Sequence, residues 1–101
     1  MRSLSMRITP EAAVVVSKDV ALADLGEEAV VLDTATGTYF GLNEVAARIL
    51  VLAAEETTVA AIVDHLLGEF EVGRDRLERD VVAFVGDLER RGMLSVRDAG
   101  A

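Results

Sequence analysis

The chain has 101 residues, a net charge of −8 and no cysteine. That length supports one domain around one core, and an apolar fraction of 51% sets it apart from disordered chains. Without cysteine there is no disulfide framework and no thiolate metal site, and no apolar run approaches the roughly 18 residues of a membrane span.

The charge is unevenly spread. Met1 to Gly73 carries four basic residues against twelve acidic ones, whereas Arg74 to Arg91 carries five of each sign. A nucleic-acid surface needs local positive charge to displace counterions, and only that last segment could offer any.

Residues 1–12 read as a flexible lead-in with no long apolar h-region, hence no signal peptide; Met6 is a second possible start. A cytoplasmic protein fits these features. Ala13 to Ser17 is a short β-branched run. Val20 to Leu25 alternates weakly as a strand, and Gly26-Glu27-Glu28 is a turn. The next stretch is the most informative. An apolar strand, Ala29 to Leu32, meets a Thr-rich turn in which Gly37 can take positive φ. A second strand follows from Thr38 to Leu42. These runs have short connections, so an antiparallel meander is the economical topology. If the hairpin ends the sheet, Thr38 to Leu42 is an exposed edge, able to pair with another chain.

Asn43 then caps a helix to Ala54 whose buried stripe is Val45, Ile49 and Leu52, with Ala46 and Val51 nearby. Glu55-Glu56-Thr57 is a polar break. Thr58 caps a helix over Val59 to Phe70, weakened by Gly68. Arg74 to Arg91 is the longest helix, with Leu77, Val81, Phe84, Val85 and Leu88 on one side, and Gly92 ends it as C′. Met93 to Val96 returns to the core or adds a short strand. The reading is an α+β, winged-helix-like domain over 13–96, with a three-stranded antiparallel sheet followed by three helices, and a tail at 97–101.

Chemistry-bearing residues are few. His65, the single histidine, sits in a helix without a second ligand pattern. Glu27-Glu28 and Glu55-Glu56 lie in turns, where neighbours share one solvated environment rather than two that separate their pKa values. Thr36 to Gly41 has two glycines but neither phosphate-binding fingerprint. No residue set carries catalysis, and no cofactor is implied. On a strand, neighbours face opposite sides. Phe40 and Leu42 are expected under the helices and Tyr39 on the outer or cleft side. Gly41 leaves space beside Tyr39, either plain or for the close approach of another backbone.

With Val30 to Asp33, the Gly37 turn, Tyr39-Phe40-Gly41-Leu42-Asn43 and Ala46-Ala47-Arg48-Ile49-Leu50, the chain resembles a known family. Thr57 to Val63 and the stretch from Val81 to Leu94 extend the likeness over about residues 20–96. The family comprises the PqqD-like recognition elements of ribosomally made, post-translationally modified peptide pathways. The Thr-Gly-Thr-Tyr-Phe-Gly-Leu-Asn form is most like the free-standing version of lasso-peptide clusters.

The resemblance implies a non-enzymatic protein that binds the leader region of a precursor peptide. The leader adds as a strand to the third strand, here Thr38, Tyr39, Phe40, Gly41 and Leu42, and lies against the third helix. It also implies presentation to a leader peptidase and then a macrocyclase. A monomer is expected, with no membrane partner, since no apolar run is long enough, and no nucleic-acid partner, since the chain is acidic. A groove lined by Tyr39, Val30 or Leu32, Leu77, Val81 and Phe84, flanked by Asp80, Asp87 and Arg79, is the expected site. Spacing leaves open which of these apolar residues belong to the core. The alternatives are a recognition protein of the pyrroloquinoline quinone pathway, a self-pairing subunit, or a DNA-binding winged helix.

Overall fold

A computed structural model describes residues 8–25 and 28–97. The chain order is β1 (Ala13–Val16), β2 (Val20–Asp24), β3 (Ala29–Asp33), β4 (Thr38–Leu42), α1 (Glu44–Ala53), β5 (Thr57–Thr58), α2 (Val59–Leu67), α3 (Arg74–Arg90) and β6 (Leu94–Arg97). The expected three-stranded antiparallel sheet forms in the order β2-β3-β4, and the three helices follow it. Gly26, Glu27 and residues 1–7 and 98–101 lie outside the described residues, and with them part of the expected turn, much of the lead-in and Met6.

The β3–β4 hairpin is set by its turn. Asp33 Oδ1 accepts from Ala35 N–H at 3.0 Å, an Asx bond that starts the reversal. Gly37 completes it at φ 76°, a conformation that a β-carbon disfavours. Pairing then runs Asp33 to Thr38, Leu32 to Tyr39, Val31 to Phe40, Val30 to Gly41 and Ala29 to Leu42.

The helix ends follow the sequence signals. Asn43 Oδ1 accepts from Ala46 N–H at 2.8 Å, and Thr58 Oγ1 from Ala61 N–H at 3.1 Å. Each satisfies one orphan donor of a first turn. Gly92 sits at φ 77° just past the Arg91 cap of α3. The helix read as reaching Phe70 stops at Leu67 with Gly68 as its cap, although Phe70 still packs on the core. The α1 stripe is rotated from the expected one. Ile49, Leu50 and Ala53 are its buried residues, Val45 and Leu52 are half-buried, and Val51 is exposed.

A second three-stranded sheet, β5-β1-β6, joins distant parts of the chain. Val14 is its buried centre. It pairs with Val96 on one side and Thr57 on the other. The β-branched run at 13–17 and the segment after Gly92 thus become partners, and the break before α2 supplies a short strand. Pro10 and Ala12 accept from Ala60 and Val59 N–H, tying residues just before β1 to the start of α2. One core unites both sheets and the helices: Val14, Val31, Ile49, Ile62, Leu66 and Leu88 are among its fully buried side chains.

Candidate functional site

β4 ends its sheet, and the hydrogen-bond pattern shows which of its groups are spare. Thr34 N–H donates to Asp19 O at 2.8 Å, so its main-chain groups point toward β2. Direction alternates along a strand. Those of Asp33 therefore point toward β4, where its carbonyl accepts from Gly37 N–H at 2.8 Å. With the observed register, the ladder to β3 falls on Thr38, Phe40 and Leu42. The N–H and C=O of Tyr39 and Gly41 point away from β3, and no described residue bonds them. On the face that Tyr39 shares, a β-carbon at Gly41 would meet nothing nearer than Ala29 O at 3.9 Å.

Strand parity sorts the side chains. Phe40 and Leu42 turn inward and pack on the core, as expected. Tyr39 turns outward and is 70% exposed. Val30 and Leu32 share its face by register with Gly41 and Tyr39, and Ala21 and Ala23 of β2 continue it. The outer face is thus apolar and open.

The inner face meets the end of α3. The Arg91 guanidinium lies over the Phe40 ring, 4.9 Å from its centroid, and its Nε donates to Asp87 Oδ2 at 3.2 Å. Phe84, Asp87 and Arg91 lie three, four and seven residues apart, on one helical stripe. Phe84 is half-buried against the core, and Asp80 is exposed one turn before it, in a 4.0 Å ion pair with Arg76.

Two corrections to the expected groove follow. Leu77 and Val81 are 1% and 0% exposed. They belong to the core and offer no surface to a guest. Tyr39, Val30 and Leu32 do not share a wall with Phe84, because the pleat sends them to the opposite face. The edge therefore offers two sides, an outer apolar sheet face and an inner side where Arg91 lies over Phe40. The sequence reading missed Arg91. Its signal was its position as the last residue before a C′ glycine, seven after Phe84. Arg79, expected to flank the groove, lines a shallow depression with Asp75, Glu78 and Val82 elsewhere on α3.

A separate open pocket of about 510 Å³ lies where the sheet meets α1, lined by Leu22, Leu42, Ala47, Val51 and Phe70 among others. A bidentate pair from Arg48 to Glu69, at 2.8 and 2.6 Å, forms part of its wall. The hydrogen bond from Arg48 holds the Glu69 carboxyl below its ordinary value. His65 is exposed on α2, beside Asp64, which pairs with Arg74. Among the described residues no helix is long and apolar enough to cross a membrane.

Comparison with known proteins places this architecture. The PqqD family, described as coenzyme PQQ synthesis protein D, matches residues 28–94. Two solved structures are similar over most of their length. TbiB1 in complex with the TbiA(beta) leader peptide is 37% identical, with a TM-score of 0.73, covering 80% of this chain and 94% of that one. A lasso peptide synthetase B1 complexed with the leader peptide is 30% identical, with a TM-score of 0.71, covering 81% and 96%. No curated protein sequence matches. Fold and matches together define a small recognition domain, not an enzyme. The chain belongs to the PqqD family, as its sequence resemblance implied, and is a PqqD-like recognition element of the class that serves ribosomally made, post-translationally modified peptides.

Proposed function

We propose that this protein binds the leader region of a precursor peptide as an added strand on β4, packed against α3, and presents it to a separate leader peptidase and then a macrocyclase in lasso-peptide biosynthesis. One observation carries the reading. The spare main-chain groups of Tyr39 and Gly41 lie on a terminal strand whose inner side is bridged to α3 by Arg91 over Phe40. The two solved relatives, both complexes with leader peptides, support it.

The energetics set what the guest must supply. The spare groups allow about four main-chain bonds, each worth roughly 1 kcal/mol net. That barely offsets an association cost of at least about 4 kcal/mol. Micromolar affinity needs about −8 kcal/mol. Burying two or three large guest side chains, at roughly 1.5–3 kcal/mol each, supplies the rest. In β-strand addition the main chain holds the guest and the pockets choose it. Alternate guest residues would enter the Phe40–Phe84 cleft and extend the Tyr39–Leu32 face. The protein works as a cytoplasmic monomer, needs no cofactor, and makes or breaks no bond itself.

The test is isothermal titration with the leader of the precursor encoded beside the gene, alongside light scattering of the free protein. A 1:1 complex at micromolar affinity or tighter, formed by a monomer, is expected. A leader that does not bind, or a stable dimer without it, refutes the reading. A neighbouring precursor of the quinone-cofactor type would keep the binding mode and change the pathway, an alternative that the family's own description favours.

A further inference from the structure

Arg91 is held on three sides. Its backbone caps α3, with its N–H donating to Asp87 O at 3.2 Å. Its Nε donates to the Asp87 carboxylate, and its guanidinium carbon lies over the Phe40 ring, 4.9 Å from the centroid. Asp87 is not committed to it alone, since Arg90 also lies 3.6 Å from that carboxylate. A guanidinium has five N–H donors in a fixed fork. Here the terminal nitrogens have no hydrogen-bond partner among the described residues, and the side chain is 51% exposed. A guanidinium held over an aromatic ring, with its terminal nitrogens free, is positioned for a carboxylate, which accepts two parallel hydrogen bonds from such a fork.

The register says which guest residue would lie beside Phe40, and so beside Arg91. Tyr39 and Gly41 hold the outward main-chain groups, so in a guest strand added antiparallel the residue facing Phe40 forms the non-hydrogen-bonded pair. In such a pair the α-carbons approach to about 4.5 Å and both side chains lie on one face. That face is the inner one, beside the guanidinium. An apolar side chain there would strip water from the N–H groups without replacing it, and a basic one would be repelled.

We infer that Arg91 is a specificity-determining residue of the cleft, and that it selects an Asp or Glu side chain of the bound peptide at the position opposite Phe40. This rests on the strand-addition reading above.

The experiment uses the full chain and synthetic leader peptides of the neighbouring precursor: the parent, and a set with each Asp or Glu singly changed to Asn or Gln. Fluorescence anisotropy reads the affinities. One neutralised position is expected to weaken wild-type binding about tenfold, equivalent to about 1.4 kcal/mol. Against Arg91→Gln the same change should matter less than twofold. Arg91→Lys should recover part of the discrimination, because it restores charge without the planar fork.

If all peptides bind wild type equally, or if a parent leader without any acidic residue binds well, the inference is overturned while strand addition stands. It is also overturned if Arg91→Gln weakens charged and neutral peptides alike, since that marks a staple between β4 and α3. A wild type that binds no leader overturns both readings. Circular dichroism checks that the variants fold, and should Arg91→Gln unfold, the same peptide series on Arg91→Lys decides: discrimination weaker than wild type supports the inference, and unchanged discrimination overturns it.

Discussion

Replacing Gly41 with proline tests the β4 edge at a single atom. Proline removes the main-chain N–H and fixes φ. The Gly41 N–H points away from β3, so the ladder carried by Thr38, Phe40 and Leu42 keeps its donors. An edge strand is also where proline is tolerated, and Phe40 before it is already extended, as a residue preceding proline prefers. A β-carbon at this site meets nothing nearer than Ala29 O at 3.9 Å, and the ring's Cδ takes the place of the outward N–H. Where the strand φ suits proline, the fixed ring restricts the unfolded chain more than the folded one, so folding stability should change by about 1 kcal/mol or less. Binding should fall more. One guest carbonyl loses its donor and is left partly desolvated, at a cost of about 1–3 kcal/mol, or roughly 5- to 150-fold in Kd. Gly41→Ala is the control, since it adds a β-carbon and keeps the N–H. Isothermal titration with the leader peptide and thermal melts by circular dichroism read the two effects separately. A Gly41→Pro protein with a native melt and unchanged leader affinity refutes pairing at that donor. Equal losses from alanine and proline would assign the effect to crowding on the outer face.

Other expectations concern stability. Asn43→Ala removes the α1 cap bond to Ala46 and should cost about 1 kcal/mol, a drop of roughly 4–8 °C in Tm for a domain of this size. Leu77→Ala deletes a core side chain that is 1% exposed and should cost about 2–5 kcal/mol by urea denaturation, while any protein still folded binds leader normally. A selective loss of affinity without destabilisation would return Leu77 to the groove. Because Arg48 lowers the folded-state pKa of Glu69, the stability from that pair is present above the unfolded glutamate value, about 4.3, and is lost as pH falls through the lower folded value. Glu69→Gln should thus be less stable than wild type at neutral pH and converge with it in acid. A gap that stays constant across that range would show that titration of Glu69 is not its source.

Local physics was legible in the residues themselves. The Gly37 reversal, the Asn43 and Thr58 caps, the Gly92 stop and the inward turn of Phe40 and Leu42 each depend on groups a few positions apart, and each is present. The family resemblance also lay in that hairpin and the helix that follows it. Burial was less legible where several apolar residues sit on one helix. Spacing marked Leu77, Val81 and Phe84 as one stripe, but which of them faces a neighbour depends on what packs there.

What the chain alone determined was therefore the set of elements, their ends and the presence of an edge strand, since i to i+4 bonding, turn dihedrals and alternation are short-range effects. What only the folded molecule decided was long-range. β1 found its partners in residues 57–58 and 94–97, and Arg91 came over Phe40, more than fifty positions earlier. Such meetings follow from how sheets and helices stack around one core, and no local spacing encodes them. The outward direction of the Tyr39 and Gly41 main-chain groups belongs to this second kind too, because it depends on the register with β3 and on the bond from Thr34 to Asp19 that anchors the alternation.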